Sequence, residues 1–119
     1  MKLRILKNYL RLRLSQSEIK ELEDSGKVIS QTNFSNAVLS YELVSVPDIE
    51  DLIADLNGTS LTISMPQKWV QTWLSPEEVG KENKDQSQMR ILVEKDFQCL
   101  HKRSGEDESD NFPNPLATN

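Results

Sequence analysis

Cysteine and histidine occur once each in this sequence, as Cys99 and His101, and that scarcity excludes several kinds of chemistry. One cysteine forms no internal disulfide, which fits a reducing compartment. A structural zinc site wants about four ligands, mostly Cys and His, and two such residues cannot supply it. Glycine is also sparse, with four residues and none clustered, so no loop of the kind that cradles phosphates is present. Long apolar runs are missing, which excludes a membrane-spanning helix. The opening "MKLRILKNYLRLRL" is broken by charge every second or third position and has no apolar stretch typical of a signal peptide. A cytoplasmic protein is expected.

What is present is charge, at 28% of 119 residues against 36% hydrophobic, enough for one domain with a lean core. The net charge of −5 argues against general nucleic-acid binding, which needs a basic surface. The distribution is uneven. Residues 1–17 carry Lys2, Arg4, Lys7, Arg11 and Arg13 with no carboxylate, whereas Glu106, Asp107, Glu108 and Asp110 crowd together without a base. The two ends are electrostatic complements.

Leu10, Leu12 and Leu14 alternate with Arg11 and Arg13, the period of a strand with one apolar and one charged face. Leu3 and Ile5 alternate in the opposite phase, which places a tight turn or bulge at Lys7 and Asn8. Ser15 with Glu18 is a capping box for a short helix that carries Ile19 and Leu22 inward and stops at Gly26. Residues 27–34 and 38–46 read as strands joined through 35–37. Residues 48–57 fit either helix or strand, and Asn57-Gly58 followed by Leu61, Ile63 and Met65 favours a hairpin. Pro66 suits the first turn of a second helix with the stripe Trp69, Val70 and Trp73, and "SPEEVG" suggests another capped turn. The polar stretch 80–88 reads as structureless. Met89, Ile91, Val93, Phe97 and Cys99 share one face of a last long strand, interrupted by Lys95.

"LRLRLSQSEIKEL" at 10–22 and "LTISMPQKWVQTW" at 61–73 superpose at an offset of 51 and suggest two halves related by a pseudo-two-fold axis. The expected fold is α+β: one curled, mainly antiparallel sheet, partly closed toward a barrel, of about six or seven strands with two helices. A ferredoxin-like sandwich with extra strands is the alternative. The domain is drawn at 1–103, with 104–119 as an acidic, proline-containing tail docked on it.

From "LRILKNYLRLRLSQSEI" through "ILVEKDFQCL" to "GEDESDNFPNPLA" the chain resembles a small bacterial family of unknown function. The resemblance spans nearly the whole chain and implies that the tail belongs to the protein proper, while carrying no activity. A likeness in plan only is to the triphosphate-tunnel enzymes, whose barrel is built from two related halves. Their first strand bears alternating glutamates and a lysine, whereas here the matching positions read "LRLRL", so no residue is carried over.

Cys99 and His101 fall on one face if the last strand stays extended, within reach of Asp107 or Glu108. Too few ligands and no matching motif leave Cys99 as a buried structural residue beside an exposed His101, with no metal and no cofactor expected. No base orienter or oxyanion hole accompanies the pair either. Trp69 and Trp73 read as core. Arg11 and Arg13, with Arg4 across the turn, read either as an ordinary solvated sheet face or as a cluster suited to gripping an anion. Alternatively the tail crosses that face, with Glu106, Asp107, Glu108 and Asp110 meeting the arginines and Phe112 and Leu116 anchoring in apolar grooves. The expected function is a non-catalytic domain that binds a protein partner or itself, as a homodimer. The alternative is an anion- or phosphate-binding protein using the three arginines.

Overall fold

The computed structural model describes residues 1–98 and 109–115. Its elements run β1 (Lys2–Leu6), β2 (Tyr9–Leu14), α1 (Gln16–Ser25), β3 (Lys27–Asn33), β4 (Val38–Val46), β5 (Ile53–Asn57), β6 (Ser60–Pro66), α2 (Gln67–Trp73), β7 (Gly80–Glu82) and β8 (Arg90–Lys95). Tight turns generate two of the hairpins. Lys7 between β1 and β2 and Gly58 between β5 and β6 both adopt positive φ, 52° and 60°. Gly58 does so freely, whereas Lys7 carries the steric cost of a Cβ, roughly 1–2 kcal/mol. The hairpins have the same register: Lys2 faces Arg13 and Leu6 faces Tyr9, while Ile53 faces Ser64 and Asn57 faces Ser60, each 51 positions on.

The strands form two four-stranded sheets, ordered β1-β2-β8-β7 and β3-β4-β6-β5. Exchanging the first four strands with the last four turns one order into the other, so each sheet combines the opening hairpin of one half with the closing hairpin of the other. The central pairs β2–β8 and β4–β6 are parallel and the outer pairs antiparallel. The class is α+β, but the expectation of one curled sheet of six or seven strands closing toward a barrel is corrected to eight strands in two sheets among the described residues. The parallel junctions join distant segments, so local periodicity does not announce them. The extra strand is β7, three residues inside the stretch read as structureless. Its seat against β8 is tight: a Cβ on Gly80 would come within 2.8 Å of the Val93 carbonyl oxygen.

Residues 53–57 form the hairpin strand, not a helix. "SPEEVG" is only a turn, in which the Glu78 N–H donates to the Ser75 carbonyl at 3.0 Å. The last strand ends at Lys95, four residues short of the expected Cys99, and Phe97 then makes an isolated parallel bridge to Phe112.

One core joins both sheets and both helices. Leu10, Leu12 and Leu14 are buried, as are Leu61, Ile63 and Met65 at the offset positions, and Ile19 and Leu22 match buried Val70 and Trp73. Each such side chain contributes about 1.5–3 kcal/mol of burial. For α1 the sequence signals are realised: the Ser15 N–H donates to Glu18 Oε1 at 2.9 Å, and Gly26 at φ 80° donates its N–H to the Leu22 carbonyl at 2.8 Å. With seven residues, α2 is too short to stand on local bonds and is held by Val70 and Trp73 in the core.

Candidate functional site: a basic sheet face

Because Leu10, Leu12 and Leu14 point inward, pleating turns Tyr9, Arg11 and Arg13 outward. Register then decides what stands beside them. On β1, Arg4 lies opposite Arg11 and Lys2 opposite Arg13; on β8, Arg90 lies beside Tyr9 and Glu94 beside Arg13. Lys2, Arg4, Arg11, Arg13 and Arg90 thus share one face, with Glu94 on β8 and Glu82 on β7 as the strand-borne carboxylates among them.

Glu94 is the internal counterion. Its Oε1 accepts from Arg11 Nη2 and from Arg13 Nε, both at 2.7 Å, and its side chain is only 15% exposed. Arg90 donates from Nε to Glu82 Oε1 at 2.8 Å and lies 4.4 Å from the Tyr9 ring centroid; Arg11 lies 5.9 Å from the same ring. Lys2 reaches Asp96 at 2.8 Å on the rim. Arg4 has no ion pair among the described residues. Arg4, Leu6, Tyr9 and Arg11 line a shallow hollow of about 50 Å³, and Arg11 Nε is buried without a hydrogen-bond partner among the described residues.

Asp110 does not meet the arginines. Its carboxylate accepts the Ser17 N–H at 3.2 Å and the Ser17 hydroxyl, while its carbonyl accepts the Gln16 N–H at 3.0 Å. The start of α1 offers unsatisfied N–H groups and a positive dipole end, a better seat for one carboxylate than arginines already served by Glu94. Phe112 anchors beside it: its N–H donates to the Asp96 carbonyl at 2.8 Å, its carbonyl accepts the Gln98 N–H at 2.7 Å, and its ring meets Phe97 edge-on at 6.1 Å. Cys99, His101, Glu106, Asp107, Glu108 and Leu116 lie outside the described residues. Trp73 is fully buried; Trp69 packs partly against the core, with Lys84 Nζ 5.6 Å from its ring.

Residues 1–116 match the family described as "Family of unknown function (DUF7009)". The chain belongs to this family. No curated protein and no solved structure matches it. The DUF7009 match runs through the docked segment 109–115, so that segment lies inside the family's unit.

Sequence reasoning missed Glu94 and Arg90 as members of the DUF7009 chain's basic face, because only the non-local β2–β8 register brings them there, and it passed over Tyr9, which the alternation of β2 itself places beside Arg11 and Arg13. It also read Lys95 as an interruption. Its side chain is buried, with Nζ donating to the Ser75 carbonyl at 2.9 Å and lying 5.1 Å from the Phe112 ring centroid. Burial holds the Lys95 ammonium below the ordinary 10.5, against an opposing pull from Glu78. The unfolded chain therefore keeps this proton to higher pH than the folded one, and the penalty, complete at neutral pH, is relieved as pH rises through the folded value toward 10.5. Lys95→Met is expected to raise stability at neutral pH by about 1 kcal/mol and to flatten the rise toward alkaline pH. Urea midpoints at neutral pH and at about pH 10 check both.

A larger hollow, about 440 Å³, lies between the start of β5 and the β7–β8 connection. Two of its polar side chains are already engaged: Asp51 accepts the N–H groups of Lys84 and Asp85 at 2.7 and 3.0 Å, and Asn83 Nδ2 donates to the Asp85 and Met89 carbonyls at 2.7 Å. This network ties a loop to a strand.

Proposed function

We propose that this protein is a non-catalytic binding domain that engages an acidic partner protein through the outer face of the β1-β2-β8-β7 sheet, with Arg4, Arg11 and Arg13 as the principal contacts. The observation that carries the reading is the surplus of cations on that face in a chain of net charge −5, with Arg4 lacking an ion pair among the described residues. Planar guanidinium groups suit bidentate carboxylates, and the hollow beside Tyr9 has room for one such group rather than for a metabolite, whose site usually exceeds ~300 Å³. The pseudo-two-fold relation of the halves, a cytoplasmic location and a tail that docks as part of the domain belong to the same reading.

A second reading is favoured by Arg11 Nε, which is unpartnered among the described residues: a free phosphate compound takes the place of the carboxylate. Titrating a fluorescent poly-aspartate peptide and inorganic polyphosphate separates the two. Saturable, salt-sensitive binding of the peptide supports the partner reading, binding of polyphosphate alone supports the second, and binding of neither removes both. Glu94→Gln is expected to tighten peptide binding about 5-fold by releasing Arg11 and Arg13, at a stability cost of about 1–2 kcal/mol.

A further inference from the structure

Four strands end the two sheets, and their free edges differ in what a further strand would meet. The β7 edge is three residues long. The β1 and β5 edges are five residues long, and each has a charge at its centre: paired antiparallel with the same strand of a second copy, β1 would set Arg4 against Arg4 and β5 would set Asp55 against Asp55. A central like charge is one way in which natural sheets protect an edge.

The seven-residue β3 edge, "KVISQTN", has no such guard. At one end of the β3–β4 hairpin the Ser45 N–H donates to the Gly26 carbonyl at 2.9 Å, and at the other the Phe34 N–H donates to the Ala37 carbonyl at 2.8 Å. Alternation between these points gives the ladder bonds to Val28, Ser30 and Thr32 and turns the N–H and C=O groups of Lys27, Ile29, Gln31 and Asn33 to the edge. Those groups have no partner among the described residues. Ile29 is 51% exposed and Phe34, just past the strand, 58%.

We propose that β3 pairs antiparallel with β3 of a second copy about a two-fold axis at Ser30, joining two β3-β4-β6-β5 sheets into one continuous sheet. This register matches Ile29 of each copy with Gln31 of the other and Lys27 with Asn33, so all the outward residues are used in roughly eight main-chain hydrogen bonds and no like charges meet. Each Ile29 gains a neighbour across the seam. The interface lies on the opposite sheet from the arginines, so it stands or falls independently of the acidic-partner reading.

Sedimentation equilibrium of the full chain from about 1 to 200 μM tests it, across the range where an interface of this size dissociates. The wild type is expected to reach the mass of a dimer. Gln31→Pro removes an outward N–H while sparing the β3–β4 ladder, and is expected to weaken the dimer roughly 25-fold, the bond being lost twice by symmetry at about 5-fold each. Should that variant not fold by circular dichroism, Ile29→Lys with Gln31→Lys sets like charges across the axis without altering the backbone and gives the same loss. Three results overturn the proposal: a wild type monomeric throughout, a dimer constant unchanged in both variants, or assemblies larger than a dimer that disappear with Arg4→Asp. The last would assign association to head-to-tail pairing of β1 with β5.

Discussion

Ending the chain after residue 108 is expected to lower its unfolding free energy by about 3 kcal/mol, read as a shift of the urea midpoint without a change in slope. The described part of the segment removed, residues 109–115, is bonded to the domain at several points. Gln16 Nε2 donates to the Asn111 carbonyl at 3.0 Å, Asn114 Nδ2 donates to the Gln98 carbonyl at 2.9 Å, and Phe112 exchanges main-chain bonds with Asp96 and Gln98 at 2.8 and 2.7 Å. Each such bond contributes about 1 kcal/mol net and the Phe112 ring adds roughly 2, against an ordering cost of about half that total for the residues involved. Phe112→Ala alone is expected to cost about 2 kcal/mol, because it removes the ring from Phe97 and from the Lys95 ammonium together. Acid weakens the same contact. Hydrogen bonds from the Ser17 and Ser15 hydroxyls hold the Asp110 carboxyl below its ordinary 3.8. Its contribution is therefore complete above 3.8 and is lost as pH falls through the lower folded value, so the gap between full-length and truncated chains narrows in acid. Equal midpoints for the two chains at neutral pH would mean that the segment rests on the domain without stabilising it.

The second large effect is on binding. Arg4→Glu combined with Arg11→Gln is expected to weaken the acidic-peptide complex about 100-fold, since it removes two contacts at the hollow and reverses the charge that steers the ligand in. Stability should fall by only about 1 kcal/mol: Arg4 has no ion pair among the described residues, and Glu94 keeps Arg13. Isothermal titration beside a thermal melt separates the two quantities. An unchanged affinity in a folded double variant would place the binding surface elsewhere.

What the sequence disclosed and what it withheld divide along the distance between partners. The alternation of Leu10, Leu12 and Leu14 with Arg11 and Arg13, the Ser15–Glu18 box, the Gly26 stop and the Asn57-Gly58 turn are all set by neighbours within a few residues, and each is found where the pattern put it. The offset of 51 carried further, since every apolar pair it aligned is buried. The sheet pairing was not legible, because nothing within β2 or β8 says that they run side by side in parallel, and without that register Glu94 cannot be recognised as the ion partner of Arg11 and Arg13. Complementary charge pointed Asp110 toward the arginines, but the N–H groups at the start of α1 are the stronger local attraction. Lys95 occupies an inward position of β8 that alternation reserves for an apolar side chain, and its ammonium is accommodated by the Ser75 carbonyl and the Phe112 ring.

The most direct measurement of the binding face is a titration of poly-aspartate peptide into ¹⁵N-labelled protein, followed residue by residue. The account predicts that the shifting amides cluster at Arg4, Tyr9, Arg11, Arg13 and Arg90, while those of β3 to β6 stay still. Shifts confined to β3 to β6, or a saturated complex in which the Arg4 and Arg11 signals do not move, would contradict it.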